Sequence, residues 1–257
     1  IGEAAPLVAL RDHPSRALRI AAVVALRRLR HDGVATFLDD ADLYIVTEAA
    51  RAINDDGGIE AALPALAALL DESRFTEEPL LRRIINANSR VGGPEATARL
   101  AAFANRPDAP EALRVEALAA LGVWATPSVV DRVDGLYHGP APRDAAPARE
   151  ALASISSPLL QQGPVAVAIA TAEAVSRLQD ESALPALHER LRGAPAPELR
   201  IAALQALNAL GDDGLANAIQ RALSDRAETV RMTALGLIPG ASLPGASVAE
   251  MLYAVLD

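Results

Sequence analysis

Residues able to do chemistry are few in this chain, and they are scattered. The four histidines, His13, His31, His138 and His188, include no two spaced three or four apart. No helix face therefore offers a pair of imidazoles to a metal, and no HExxH motif occurs. They read as surface or helix-end residues. The chain has no cysteine, which removes thiolate nucleophiles, CxxC metal sites and covalent CxxCH haem attachment. The acidic run Asp39–Tyr44 resembles the start of a calcium loop, but the sixth place falls on Tyr44 and the twelfth on Ala50, where a Gly and a Glu are needed. Asp42 reads instead as the N-cap of the following helix. Gly57-Gly58 and Gly92-Gly93 have no Lys-Ser/Thr behind them and no strand before them, so they read as helix stops and not as phosphate cradles. The expected catalytic, cofactor and metal residues are accordingly none.

One polar constellation is more organised. In "TEAARAIND" (47–55), Glu48, Arg51 and Asp55 fall at i, i+3 and i+7, on one face of a helix. In the repeat alignment given below, Glu48 shares its phase with Asn86 and Glu116, with Arg82 and Arg90 close by. Glu48, Arg51, Asp55, Arg82, Asn86, Arg90 and Glu116 therefore form a candidate partner-binding row across three units. The competing reading is an ordinary ladder of intrahelical ion pairs, each worth about 0.2–0.5 kcal/mol. Trp124, alone in "LGVWATP", reads as core or junction filler.

The elements that position these residues are helices. The chain is 51% hydrophobic but only 3% aromatic, rich in Ala and Leu, the best helix formers, and shows no alternating Val/Ile/Thr runs. "LRIAAVVAL" (18–26), "LRVEALAAL" (113–121) and "LRIAALQAL" (199–207) superimpose without a gap, and "VRMTALGL" (230–237) keeps the same phase. The anchors Leu26, Ile53, Val91, Leu121, Ile155, Leu178, Leu207 and Leu237 stand 23 to 38 residues apart, a wobbling period of about 30 that indicates stacked helical hairpins. Shorter helices with an early Pro precede them, as in "ALPALAALL" (62–70) and "ALPALHERL" (183–191). Asp32-Gly33, Asp56-Gly57-Gly58, Gly92-Gly93 and Gly211 are the expected stops. The fold expected is all-α, an α-solenoid (superhelix) of about eight hairpins, continuous over residues 1–257. A Pro/Gly-rich irregular segment at about 126–147 carries Pro127, Pro140, Pro142 and Pro147.

Charge narrows the partners. The net charge is -9, and all 24 basic residues are arginines, scattered among 33 acids. A nucleic-acid surface needs clustered cations, so a DNA or RNA partner is not expected. No apolar run is long enough for a membrane span.

The repeat resembles HEAT repeats of the short bacterial kind, whose second helix often carries an arginine where this chain has Arg19, Arg114, Arg200 and Arg231. Three strings, "DLYIVTEAARAINDD" (42–56), "EPLLRRIINANSRVGG" (78–93) and "EALRVEALAALGVWATPSVVDRVDG" (111–135), are similar to the HEAT segment of large bacterial multidomain dehydrogenases. There a β-propeller of the glucose/sorbosone dehydrogenase type precedes the repeats, and a cytochrome c domain often follows. This chain has neither propeller strands nor haem-binding cysteines, so no redox chemistry carries over to any residue. The resemblance implies a helical spacer or docking segment, in a family whose members are usually exported. The expected role is thus a non-catalytic interaction or architectural module, excised from a larger exported redox protein, with no cofactor. Its partner is a protein or peptide, or neighbouring domains of the same parent chain. A freestanding adaptor binding a peptide in its groove is the second reading. An enzyme on the same scaffold, such as a DNA glycosylase or bilin lyase, is the third.

Overall fold

The computed structural model describes residues 4–56 and 58–241; Gly57, one of the expected stops, lies outside them. The chain divides into two compact units, residues 1–147 and 148–257, and each is described by itself. Both are all-α.

In the first unit, short leading helices alternate with longer ones. Helix α1 (Ala5–Val8) leads into α2 (Arg16–Leu29), and a 3₁₀ helix (Asp32–Asp39) leads into α3 (Leu43–Asn54). Then α4 (Leu63–Ala68) pairs with α5 (Glu78–Val91), and α6 (Gly93–Asn105) with α7 (Glu111–Gly122). The long helices α2, α3, α5 and α7 also touch in series, each one the next. The second unit holds α8 (Ala146–Gln162), α9 (Val165–Leu178), α10 (Leu184–Gly193), α11 (Pro197–Ala209), α12 (Leu215–Leu223) and α13 (Glu228–Leu237). There α10 pairs with α11 and α12 with α13, while α9, α11 and α13 touch in series. No single hairpin can bury both flanks of its long helix, so stacking is what completes the core. Among the described residues no helix is long and apolar enough to cross a membrane.

Small residues make the seams. Ala22, Ala49, Ala50, Ala87, Ala117, Ala203 and Ala234 are fully buried on the long helices, letting backbones approach, while Leu26, Ile53, Leu121 and Leu207 fill the gaps between them. One anchor differs from expectation. Val91 is 40% exposed, and in the third hairpin the buried place that matches Ile53 and Leu121 is taken by Asn88. Its Nδ2 donates inside the core to the carbonyls of Ala67 and Ile84, both at 2.9 Å, while its Oδ1 is buried without a partner. The repeat phase in α5 therefore runs three residues earlier than an apolar anchor implies.

One of the expected stops also differs. Helix α2 ends on Arg30, held at φ +50°, and not at Asp32-Gly33. Gly33 sits inside the 3₁₀ helix, its N–H donating to His31 Nδ1. By contrast, Gly92 (φ +75°) and Gly211 (φ +66°) do close α5 and α11. Asp42 caps α3, its Oδ1 accepting from Tyr44 N–H at 3.0 Å.

On α2, α7, α11 and α13 the recurrent arginine staples the helix to a carbonyl shortly before it. Arg19 donates to His13 O at 2.9 Å, Arg114 to Ala104 O at 2.8 Å, Arg200 to Ala194 O at 2.6 Å and Arg231 to Asp225 O at 2.8 Å. Arg19 and Arg200 also fork onto a carboxylate of the next loop, Asp40 and Asp225. The Arg200 guanidinium holds the Asp225 carboxyl below its ordinary 3.8. A group whose folded value is depressed stabilises the fold above its unfolded value and loses that contribution as pH falls. Arg200→Ala leaves Asp225 unpaired and part-buried, and should lose on the order of 3 kcal/mol at pH 7. In urea unfolding, the gap between wild type and variant should narrow below about pH 4, as Asp225 takes up a proton.

Candidate functional site: the face of the long helices

The candidate row lies along α3, α5 and α7. Serial packing of these helices brings its members together across hairpins. On α3, Arg51 Nη1 donates to Glu48 Oε1 at 2.9 Å and stands 4.0 Å from Asp55. Asp55 is gripped across the seam by Arg83, at 2.9 and 2.7 Å. On α5, Arg82 donates to Glu78 at 2.8 Å and reaches toward Glu116 on α7 at 3.7 Å. Glu116 accepts a fork from Arg132, at 2.6 and 3.0 Å. Asn86 joins Asn54 Oδ1 at 2.9 Å to Asp131 Oδ2 at 2.7 Å, and Arg90 donates to Asn54 O at 3.0 Å. The seven residues thus fall into two polar networks, Glu48, Arg51, Asp55, Asn86 and Arg90 in one and Arg82 and Glu116 in the other, and every one of them has a partner within the protein. With the phase of α5 corrected, the residue matching Glu48 and Glu116 is Arg83 and not Asn86. This explains why Arg83 makes the cross-hairpin fork.

The irregular segment supplies what the sequence did not place. Between α7 and α8 the chain doubles back: Asp131 N–H donates to Leu136 O and His138 N–H to Val129 O, both at 2.8 Å, around an antiparallel bridge of Val130 and Tyr137. This hairpin is latched to α5 by Asp131, whose side chain is 1% exposed. Burial pushes the Asp131 carboxyl up. The Asn86 amide, the N–H groups of Val133 and Asp134 and the charge of Arg90 outweigh that push and hold it below the ordinary carboxylate value. Further along, Arg143 lies 3.7 Å over the Trp124 ring and donates to Trp124 O at 2.8 Å and Ser89 O at 2.6 Å. Trp124 is buried beneath it.

Two clefts open on this face. One, of about 240 Å³, lies where the hairpin meets α5, between Asn86, Arg90, Asp131, His138 and Arg143. Asp131, Asp134 and His138 bring ligand atoms within 4.8 Å of one another there. Every carboxylate oxygen already accepts from an N–H, however: Asp131 from Asn86, Val133 and Asp134, and Asp134 from Asp56 and Leu136. The cluster works as a latch. The other cleft, of about 610 Å³, lies between α3 and α5, bounded by Leu43, Tyr44, Thr47, Glu48, Arg51, Glu77, Pro79 and Arg83.

Two His–carboxylate pairs are not set by helical spacing: one faces across the hairpin, the other joins α10 to the loop before α12. His138 Nε2 is 3.6 Å from Asp131, and His188 Nε2 is 2.9 Å from Asp212. The other two imidazoles accept from backbone N–H groups, His13 from Ser15 and His31 from Gly33.

Comparison with known proteins places part of this architecture. Residues 155–238 match the family model described as HEAT repeats. The HEAT match falls in the second unit, outside the stretch 42–135 on which the dehydrogenase resemblance rests. A search of curated proteins finds no match. Similar solved structures include an engineered protein, at 18% identity over 95% of this chain and 69% of that chain, with a TM-score of 0.51. That likeness shows the fold alone. Human deoxyhypusine hydroxylase in complex with glycerol matches at 18% identity over 92% and 94% of the two chains, TM-score 0.38. The complex of CpcE and CpcF of phycocyanin lyase from Nostoc sp. PCC7120 matches at 23% identity over 99% and 95%, TM-score 0.30. Two of the three are thus named as enzymes. The expectation that the chain is not an enzyme, drawn from the repeat, the absence of a catalytic constellation and the dehydrogenase resemblance, is therefore withdrawn.

Asp131→Ala removes the acceptor of Asn86 and of two backbone N–H groups, and should lose about 1–3 kcal/mol. Amide exchange should quicken in residues 128–138 while α11 stays protected.

Proposed function

We propose that the chain is a HEAT-like interaction module and that the cleft between α3 and α5 takes an extended segment of a protein or peptide partner. One observation carries the reading. This cleft, about 610 Å³, falls in the size range of ligand-binding clefts and has an apolar floor with a polar rim. Tyr44 is half exposed at its mouth, and a half-exposed tyrosine offers a partner both a ring and a hydroxyl. Leu43 and Pro79 add apolar wall. Glu48 and Arg51 stand beside them, joined to each other by a single hydrogen bond, so each keeps donor or acceptor capacity for a peptide backbone. The proposal treats both units as parts of one solenoid. A place in a larger exported redox protein, where the module would hold neighbouring domains, has its support in the resemblance of residues 42–135.

Panning the whole chain against a random peptide library should enrich a family of sequences that compete for one site. Tyr44→Ala and Arg51→Ala should each weaken the selected peptides at least about tenfold, with the helical circular dichroism unchanged. Equal affinity for wild type and both variants contradicts the assignment.

A further inference from the structure

The second unit carries a cleft of a different character. Helix α10 presents His188 and Arg192, and α12 presents Asn217 and Arg221. Each pair is four residues apart and so shares one helix face. The two helices pack together, and these four side chains, with Gly214, line a cleft of about 180 Å³ whose apolar wall is Leu191 and Ala218.

Its charge is one-signed. Where the α3–α5 cleft has two acids and two arginines on its rim, no carboxylate lines this one, in a chain of net charge -9. One acid, Asp212, is not among the lining residues, but its Oδ2 stands 2.9 Å from His188 Nε2 with its side chain 10% exposed. Gly214 leaves room for that pair, since a Cβ there would stand 2.9 Å from Asp212 Oδ2 and 3.5 Å from His188 Nε2.

The two arginines are also uncommitted. Arg19, Arg83, Arg99, Arg132 and Arg200 all hold carboxylates. Among the described residues, Arg192 and Arg221 make neither an ion pair nor a side-chain hydrogen bond. Guanidinium forks match the oxygen spacing of a tetrahedral oxyanion. Asn217 supplies a neutral donor, and the first turn of α12 has no side-chain cap, which adds the attraction of a helix N-terminus for negative charge. The cleft is too small for a folded partner or a length of peptide. Donors converging from two helices suit an anion with three terminal oxygens better than a planar carboxylate.

We propose that the α10–α12 cleft binds a phosphoryl group, carried by a small phosphate monoester or present as inorganic phosphate. The site is separate from the α3–α5 cleft and stands or falls without it.

The test titrates the whole chain with inorganic phosphate, with glycerol phosphate and with acetate, at matched ionic strength. The amide resonances of Ala216 and Asn217 are followed together with the melting temperature. Saturable shifts with either phosphate, absent with acetate and weakened at least about tenfold in the R192Q/R221Q double variant, are the expected result. Saturation by inorganic phosphate but not the ester supports the site and assigns its occupant as the free anion. Both arginines are exposed and unpaired, so the variant should fold, and its circular dichroism checks this. Shifts that never saturate, that appear equally with acetate, or that persist at full affinity in the folded double variant overturn the proposal.

Discussion

Close approach of neighbouring long helices is the constraint from which the rest of this protein follows. Each of these helices has a partner within its own hairpin and a further long helix beside it, so its apolar stripe must be wide and must be small at the line of contact. Alanine meets both demands: Ala22, Ala49, Ala87, Ala117 and Ala203 are sealed from solvent. Burying so small a side chain contributes little by itself. What it contributes is distance, since it lets leucines on either side interlock and brings polar residues of one hairpin within reach of the next.

The polar network of the first unit is a consequence of that distance. Asp55 meets Arg83, Asn54 meets Asn86 and Arg82 faces Glu116 because α3, α5 and α7 lie side by side in fixed register. The same register lets a poorly helical, proline-rich segment fold back and latch through one buried aspartate. Most arginines of the chain end on carboxylates or loop carbonyls and serve to lock the joints between hairpins. In such a background, a cleft whose cations have no partner differs from the rest in kind, and a polar row that is fully bonded internally offers a partner only its outer edges.

Much of the helical plan could be read from the sequence because its signals are local. Leucine-alanine periodicity, early prolines and the glycines at 92 and 211 each act through a few neighbouring residues, and the break before α8 was announced by Pro127, Pro140 and Pro142. Misreadings arose where tertiary contact overrode local type. Asn88 occupies an apolar anchor place with its Nδ2 held by two carbonyls, so the nearest large apolar residue in the sequence is Val91, one turn too late. Arg30 adopts the left-handed conformation and closes α2 ahead of the glycine expected to stop it, Gly33. The hairpin at 128–138 rests on pairing without β-periodicity, the His138–Asp131 pair faces across that hairpin, and the His188–Asp212 pair joins a helix to a loop. The candidate row was legible as a set of residues on α3, α5 and α7; its bonding was not, because that depends on the phase of α5, which Asn88 displaces.

The most direct test of this account is the stability of Ala117→Leu, a change that keeps helix propensity nearly constant and adds volume only at the seam of α7. If neighbouring helices are held apart by no more than an alanine, equilibrium urea unfolding should show a loss of about 1–3 kcal/mol with an unchanged denaturant slope. Stability equal to or above that of the wild type would mean that the helices do not meet at this line, and would contradict the packing on which the rest of the structure has been explained.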